Sequence, residues 1–132
     1  MTAYVRDHSR RVNKRFVYYV TIRDNTGRYS RLVYKTFRSI VKKYDARYWG
    51  RYGSRRDFVH LHSIVVTKTP IDYNIVQSKL KPKGIYVNIV LVNGKTLRDL
   101  KRIVDYIDVK NGGREFGSRY AIKVARRFVS KS

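Results

Sequence analysis

The chain has 132 residues, 42% of them hydrophobic, which suits one domain around a modest core. It carries 31 Lys and Arg against 9 Asp and Glu, a formal charge of +22, far more than solubility requires; such a field calls for a polyanion, of which nucleic acid is the commonest soluble kind. Cysteine is absent, which excludes disulfides, thiolate nucleophiles and cysteine-held zinc, and no stretch nears the roughly 18 apolar residues of a membrane-spanning helix.

In chain order, residues 1–15 read as a basic arm, with Arg6, Arg10, Arg11, Lys14 and Arg15 crowded together and no apolar segment of a secretory signal. Residues 16–132 read as one nucleic-acid-binding domain. Phe16 to Arg23 is rich in β-branched and aromatic residues and predicts a strand, closed by the turn signal Asp24 to Gly27. Val33, Phe37, Ile40, Val41 and Tyr44 share one face of a helix from about Ser30 to Tyr44; a hairpin over Asp24 to Phe37 is the alternative. Arg47 to Tyr52 predicts a short, edge-like strand, with a turn over Gly53 to Arg56. The continuous apolar run in Phe58 to Thr67 predicts a central strand. Thr69-Pro70 opens a short helix that Pro82 and Gly84 end. Ile85 to Val92 predicts a strand. Leu97, Leu100, Ile103, Val104 and Ile107 mark a helix from about Thr96 to Lys110, stopped by Asn111-Gly112-Gly113. Ser118 to Val129 predicts a last helix, whose Arg119, Lys123, Arg126 and Arg127 suit backbone phosphates. The order predicts an α+β fold: a ferredoxin-like split βαβ, with an antiparallel sheet, helices on one face and an added C-terminal helix.

Two residue pairs point to chemistry. His60 and His62 alternate along a strand, so both imidazoles face one way, about 7 Å apart, and can chelate a divalent cation. Tyr106 and Lys110 stand four residues apart on one helical face, where a cation favours the nucleophilic phenolate.

Together these residues resemble the HUH family of replication initiators, small viral and plasmid Rep-like nicking enzymes. The likeness runs from Phe16 to Gly113: Tyr19 to Asn25 on the opening strand, the paired His60 and His62, then Tyr106 and Lys110 followed by Asn111-Gly112. It implies a nicking and joining enzyme of rolling-circle replication that acts on single-stranded DNA. His60 and His62 would hold Mg²⁺ or Mn²⁺, Tyr106 would be the nucleophile, and Lys110 would assist it. It also implies a small protein of an archaeal virus or plasmid, at work inside the host cell, with room for a homo-oligomer and no role for a membrane.

Many members add a carboxylate or amide ligand. Here the second strand has none, Asp57 falls on the wrong side of an ideal strand, and Asp45, Asp105 and Asp108 are the remaining choices. Mg²⁺ prefers oxygen donors. The alternative reading is therefore a basic, non-enzymatic binder of nucleic acid (a virion nucleoprotein, ribosomal or chromatin protein), built on a relic of the same fold and lodged, in the viral case, in the virion. A transcription regulator is a third.

Overall fold

The computed structural model describes residues 14–24, 30–55, 58–111 and 113–130, with the side chains at 30, 54, 55, 58, 59, 110 and 111 left undescribed. Arg6, Arg10 and Arg11 of the basic arm, and Asp57, lie outside the described residues. The elements are β1 (Phe16–Asp24), α1 (Ser30–Lys43), β2 (Arg47–Arg55), β3 (Phe58–Thr67), α2 (Tyr73–Leu80), β4 (Ile85–Leu91), α3 (Leu97–Asn111), β5 (Arg114–Gly117) and α4 (Tyr120–Ala125). One-turn 3-10 segments follow α2 and α4.

All strand pairs are antiparallel, in the order β4-β1-β3-β2-β5. β1 to β4 with α1 and α2 form the split βαβ unit that the sequence predicts. β5 is new: Arg114 to Gly117 pairs with β2 and turns that strand from an edge into an interior one. Four residues between a helix stop and a helix start carry too little alternation to announce a strand.

The α+β class, the antiparallel sheet and the C-terminal helix are as expected. The helices, however, are not confined to one face. Alternate residues of β1 divide between two cores. Tyr18, Val20 and Ile22 join Leu61 and Val65 of β3 beneath Val33, Phe37 and Ile40 of α1 and Val76 and Leu80 of α2. Val17 joins Trp49, Ile64 and Val66 beneath Leu100 and Ile107 of α3 and Ala121, Ile122, Val124 and Ala125 of α4. A strand whose successive side chains are both apolar needs cover on each side, and α3 with α4 supply the second layer.

Local signals explain the elements that carry the site. Thr96 and Asp99 form a reciprocal cap at the start of α3: Asp99 N–H donates to Thr96 Oγ1 (3.2 Å), and Thr96 N–H donates to the Asp99 carboxylate (3.1 Å). The chain end clips on here too, since Leu97 N–H donates to Ser130 O (2.8 Å) and Ser130 N–H donates to Lys95 O (2.8 Å). Gly50 lies where β2 crosses β3; a Cβ there would sit 2.1 Å from His62 O, so only glycine permits this strand spacing.

Candidate functional site

The second face of the sheet is apolar over half its length and polar over the rest. Val17 gives way along β1 to Tyr19, Thr21 and Arg23, and Ile64 gives way along β3 to His62 and His60. Register sets Thr21 opposite His62 and Arg23 opposite His60. The polar half is therefore a consequence of period-two alternation in two adjacent strands.

His60 and His62 face the same way, as their spacing predicts, with ring centroids 5.5 Å apart and planes at 65°. His60 is the deeper, 5% exposed. His62 opens onto a shallow groove of about 420 Å³, shared with Tyr19, Thr21, Arg23, Tyr86, Arg102 and Tyr106. The His62 Nδ1 lies 3.0 Å from the Tyr19 hydroxyl and 3.3 Å from Thr21 Oγ1. In the tautomer that presents Nε2 to a cation, Nδ1–H donates to these hydroxyls, which fix the ring plane. Burial, then His60, then the Arg23 guanidinium lower the His62 pKa to about 4, so the imidazole is neutral at physiological pH, the form that binds metals.

Tyr106 stands on the same face. Its ring meets His62 edge-on, with centroids 5.9 Å apart and planes at 74°, and it is 47% exposed to the groove. Leu100 and Ile107 seat α3 on the apolar half of the face, which swings Tyr106 over the polar half. Asp108 locks that position: Arg51 of β2 and Arg119 both donate to Asp108 Oδ1, at 3.0 and 2.9 Å. Burial raises the Asp108 pKa, but hydrogen bonds from Arg51 and Arg119 outweigh it and hold the carboxyl below its usual range. Lys110 falls on the last turn of α3, with its side chain outside the described residues.

The third ligand does not materialise. No cluster of three His, Cys, Asp or Glu occurs among the described residues. Asp108 is committed to its two arginines, and Asp45 pairs with Lys68 (3.8 Å) at the exposed end of α1. Two imidazoles without a carboxylate suit Mg²⁺ poorly, since it prefers oxygen donors; Mn²⁺ is also a hard ion but tolerates nitrogen better, and would be the better fit of the two.

Arg119 departs from the expected row of phosphate contacts. Besides Asp108 it donates to Glu115 (2.8 Å), and its guanidinium lies 4.6 Å above the Trp49 ring. It braces the fold. Lys123, Arg126 and Arg127 are exposed, as is Lys14, which rests over the Phe16 ring; Arg15 is partly covered.

Tyr86 and Arg102 of the groove escaped sequence reasoning, and Thr21 and Arg23 entered it only within the stretch Tyr19 to Asn25. Alternation along β1 would have put Tyr19, Thr21 and Arg23 together, and Arg102 precedes Tyr106 by one helical turn. The Arg23 guanidinium sits 5.0 Å from the Tyr86 ring, and its Nε has no hydrogen-bond partner among the described residues. Tyr19 is raised in pKa by burial, offset by the Thr21 hydrogen bond and reinforced by Tyr106, so it stays a neutral phenol.

No protein-family model matches the chain, and no curated protein matches it. Among solved structures it is similar to the hypothetical protein ORF119 from Sulfolobus islandicus rod-shaped virus 1, at 22% identity and a TM-score of 0.58, over 85% of this chain and 99% of that one. At that identity the likeness speaks for the fold.

Proposed function

We propose that this protein nicks and rejoins single-stranded DNA, with Tyr106 as nucleophile and His60 and His62 as the anchor for a divalent cation. The observation that carries the reading is the edge-on contact between Tyr106 and His62, from two elements far apart in sequence, above a groove flanked by Arg23 and Arg102. A phosphodiester laid along that groove meets guanidinium groups for its oxygens and a phenol for its phosphorus.

The Tyr106 hydroxyl gives its proton to water as its oxygen forms a bond to phosphorus, and the bond to the 3′ oxygen breaks. The leaving oxygen takes a proton from water and becomes a free 3′-hydroxyl; the 5′ phosphate stays on the tyrosine. Attack by a 3′-hydroxyl reverses the step and joins strands. A cation held by His60 and His62 would polarise the phosphate and neutralise its developing charge. Tyr19 and Thr21 orient His62, and Lys110 follows Tyr106 by one turn of α3. The neighbour of viral origin accords with a virus as source.

The test is a covalent adduct. Labelled single-stranded DNAs of varied sequence are incubated with the protein and Mn²⁺, then denatured in detergent. We expect label on the protein, lost in Tyr106→Phe and under chelation, with DNA binding within about twofold of the parent. Absence of label across many sequences rules the nuclease out and leaves the second reading, a cationic coat for nucleic acid, which the +22 charge favours.

A further inference from the structure

A second hollow among the described residues is larger than the histidine groove. It lies on the opposite sheet face, between α1 and the β2–β5 edge, and measures about 960 Å³. Its floor is aromatic. Tyr48 and Phe116 lie with centroids 6.0 Å apart above the buried Phe37, and Tyr34 meets Tyr52 edge-on at 5.8 Å. Its rim is cationic. Arg31, Lys35, Arg38 and Lys42 follow one another at helical spacing along about 16 Å of α1, and Arg114 faces them from β5.

Two features separate this from an ordinary solvated helix face. Among the described residues no acidic one lines the hollow, and the sequence of α1 holds none. None of the five cations makes an ion pair among the described residues, whereas Arg51 and Arg119 on the other face are both paired. A row of uncompensated cations beside open aromatic rings has the two requirements of sequence-tolerant strand binding, phosphate contacts and stacking faces.

We propose that this groove binds a single-stranded polynucleotide, with Tyr34 and its aromatic neighbours stacking on bases while the α1 cations hold phosphates. The occupant is single-stranded because bases in a duplex offer no open faces to a side chain. The site stands apart from the histidine groove and is separated from it by the sheet. It holds a strand whether or not Tyr106 cuts one.

The experiment uses the full chain with a chelator, so that no cleavage contributes. Fluorescence anisotropy follows a labelled oligodeoxyadenylate, its ribo counterpart and a duplex of equal length over a range of salt. Arg38→Gln with Lys42→Gln is compared with Lys81→Gln with Lys95→Gln, which removes the same charge from exposed sites elsewhere. We expect the α1 pair to lose at least tenfold in affinity for a single strand and to flatten the logarithmic salt slope by about 1.4, from two phosphate contacts at roughly 0.7 each. The control pair should change little. Tyr34→Ala, at an exposed ring whose loss spares the core, should weaken single-strand binding by about tenfold or more and duplex binding hardly at all. Equal losses in the α1 pair and the control pair would overturn the proposal. So would an unchanged Tyr34→Ala, or an acidic peptide of equal charge competing as well as the oligonucleotide.

Discussion

Burial, His60 and Arg23 together hold the His62 imidazole at a pKa of about 4, against 6.5 for a free one. The unfolded chain takes up this proton near pH 6.5 and the folded chain only near 4, so between those values the unfolded state binds more protons. Stability from this group is complete above pH 6.5 and drains away as pH falls towards 4. Allowing for the ring's partial exposure, the loss is about 1–2 kcal/mol. Denaturant midpoints from pH 7.5 to 4.5 should fall more steeply in the parent than in His62→Gln; parallel curves would refute the assignment. The same shift bears on metal binding. A cation competing with a proton at pKa 4 keeps its site down to about pH 5, where an ordinary imidazole is already charged. Tyr19→Phe removes the stronger orienting hydroxyl of His62 and should weaken Mn²⁺ binding about tenfold, by calorimetry, with the fold intact.

Helix α3 is the element on which the site depends, because it carries Tyr106. Its start is held by the Thr96–Asp99 cap and by Ser130 from the chain end, and its far half by Asp108. Thr96→Ala should cost about 1 kcal/mol in global stability. Its effect on adduct formation should exceed that loss, since Tyr106 must stay within reach of His62. Equal temperature dependence of adduct formation in parent and variant would show that the cap plays no part in positioning. At the sheet, Gly50→Ala forces β2 away from β3 and should destabilise the fold by about 1–3 kcal/mol, read from thermal denaturation. The periodicities of α1, β3, β4 and α3 were visible in the sequence, and their observed spans lie within a residue or so of expectation. β5 was hidden because its pairing partner, not its own composition, makes it a strand.

Across the whole molecule, charge sets the behaviour. A net +22 repels itself at low ionic strength. Added salt screens that repulsion, so the thermal midpoint should rise from about 0.05 to 0.5 M salt, in a range where the Debye length shrinks from more than 10 Å to a few ångströms. A single-stranded oligonucleotide at 100 times its Kd should add about 2.7 kcal/mol by mass action at low salt, and much less at high salt. Scanning calorimetry measures both, and a midpoint indifferent to salt would contradict the electrostatic account. No described helix is long and apolar enough to cross a membrane.

The amino-acid sequence alone determined the cationic character, the split βαβ order, and the sharing of one strand face by His60 and His62, because charge, hydrophobic period and side-chain alternation are local properties that each stretch carries with it. Which sheet face α3 would cover was beyond it. That choice follows from packing: both faces of β1 and β3 are apolar, α1 and α2 fill one, and the remaining helices must take the other. That docking brought Tyr106 to His62 and Asp108 to Arg119, while strand register aligned Thr21 and Arg23 with the histidines and the packing of α1 on the opposite face left its cations beside an open aromatic groove.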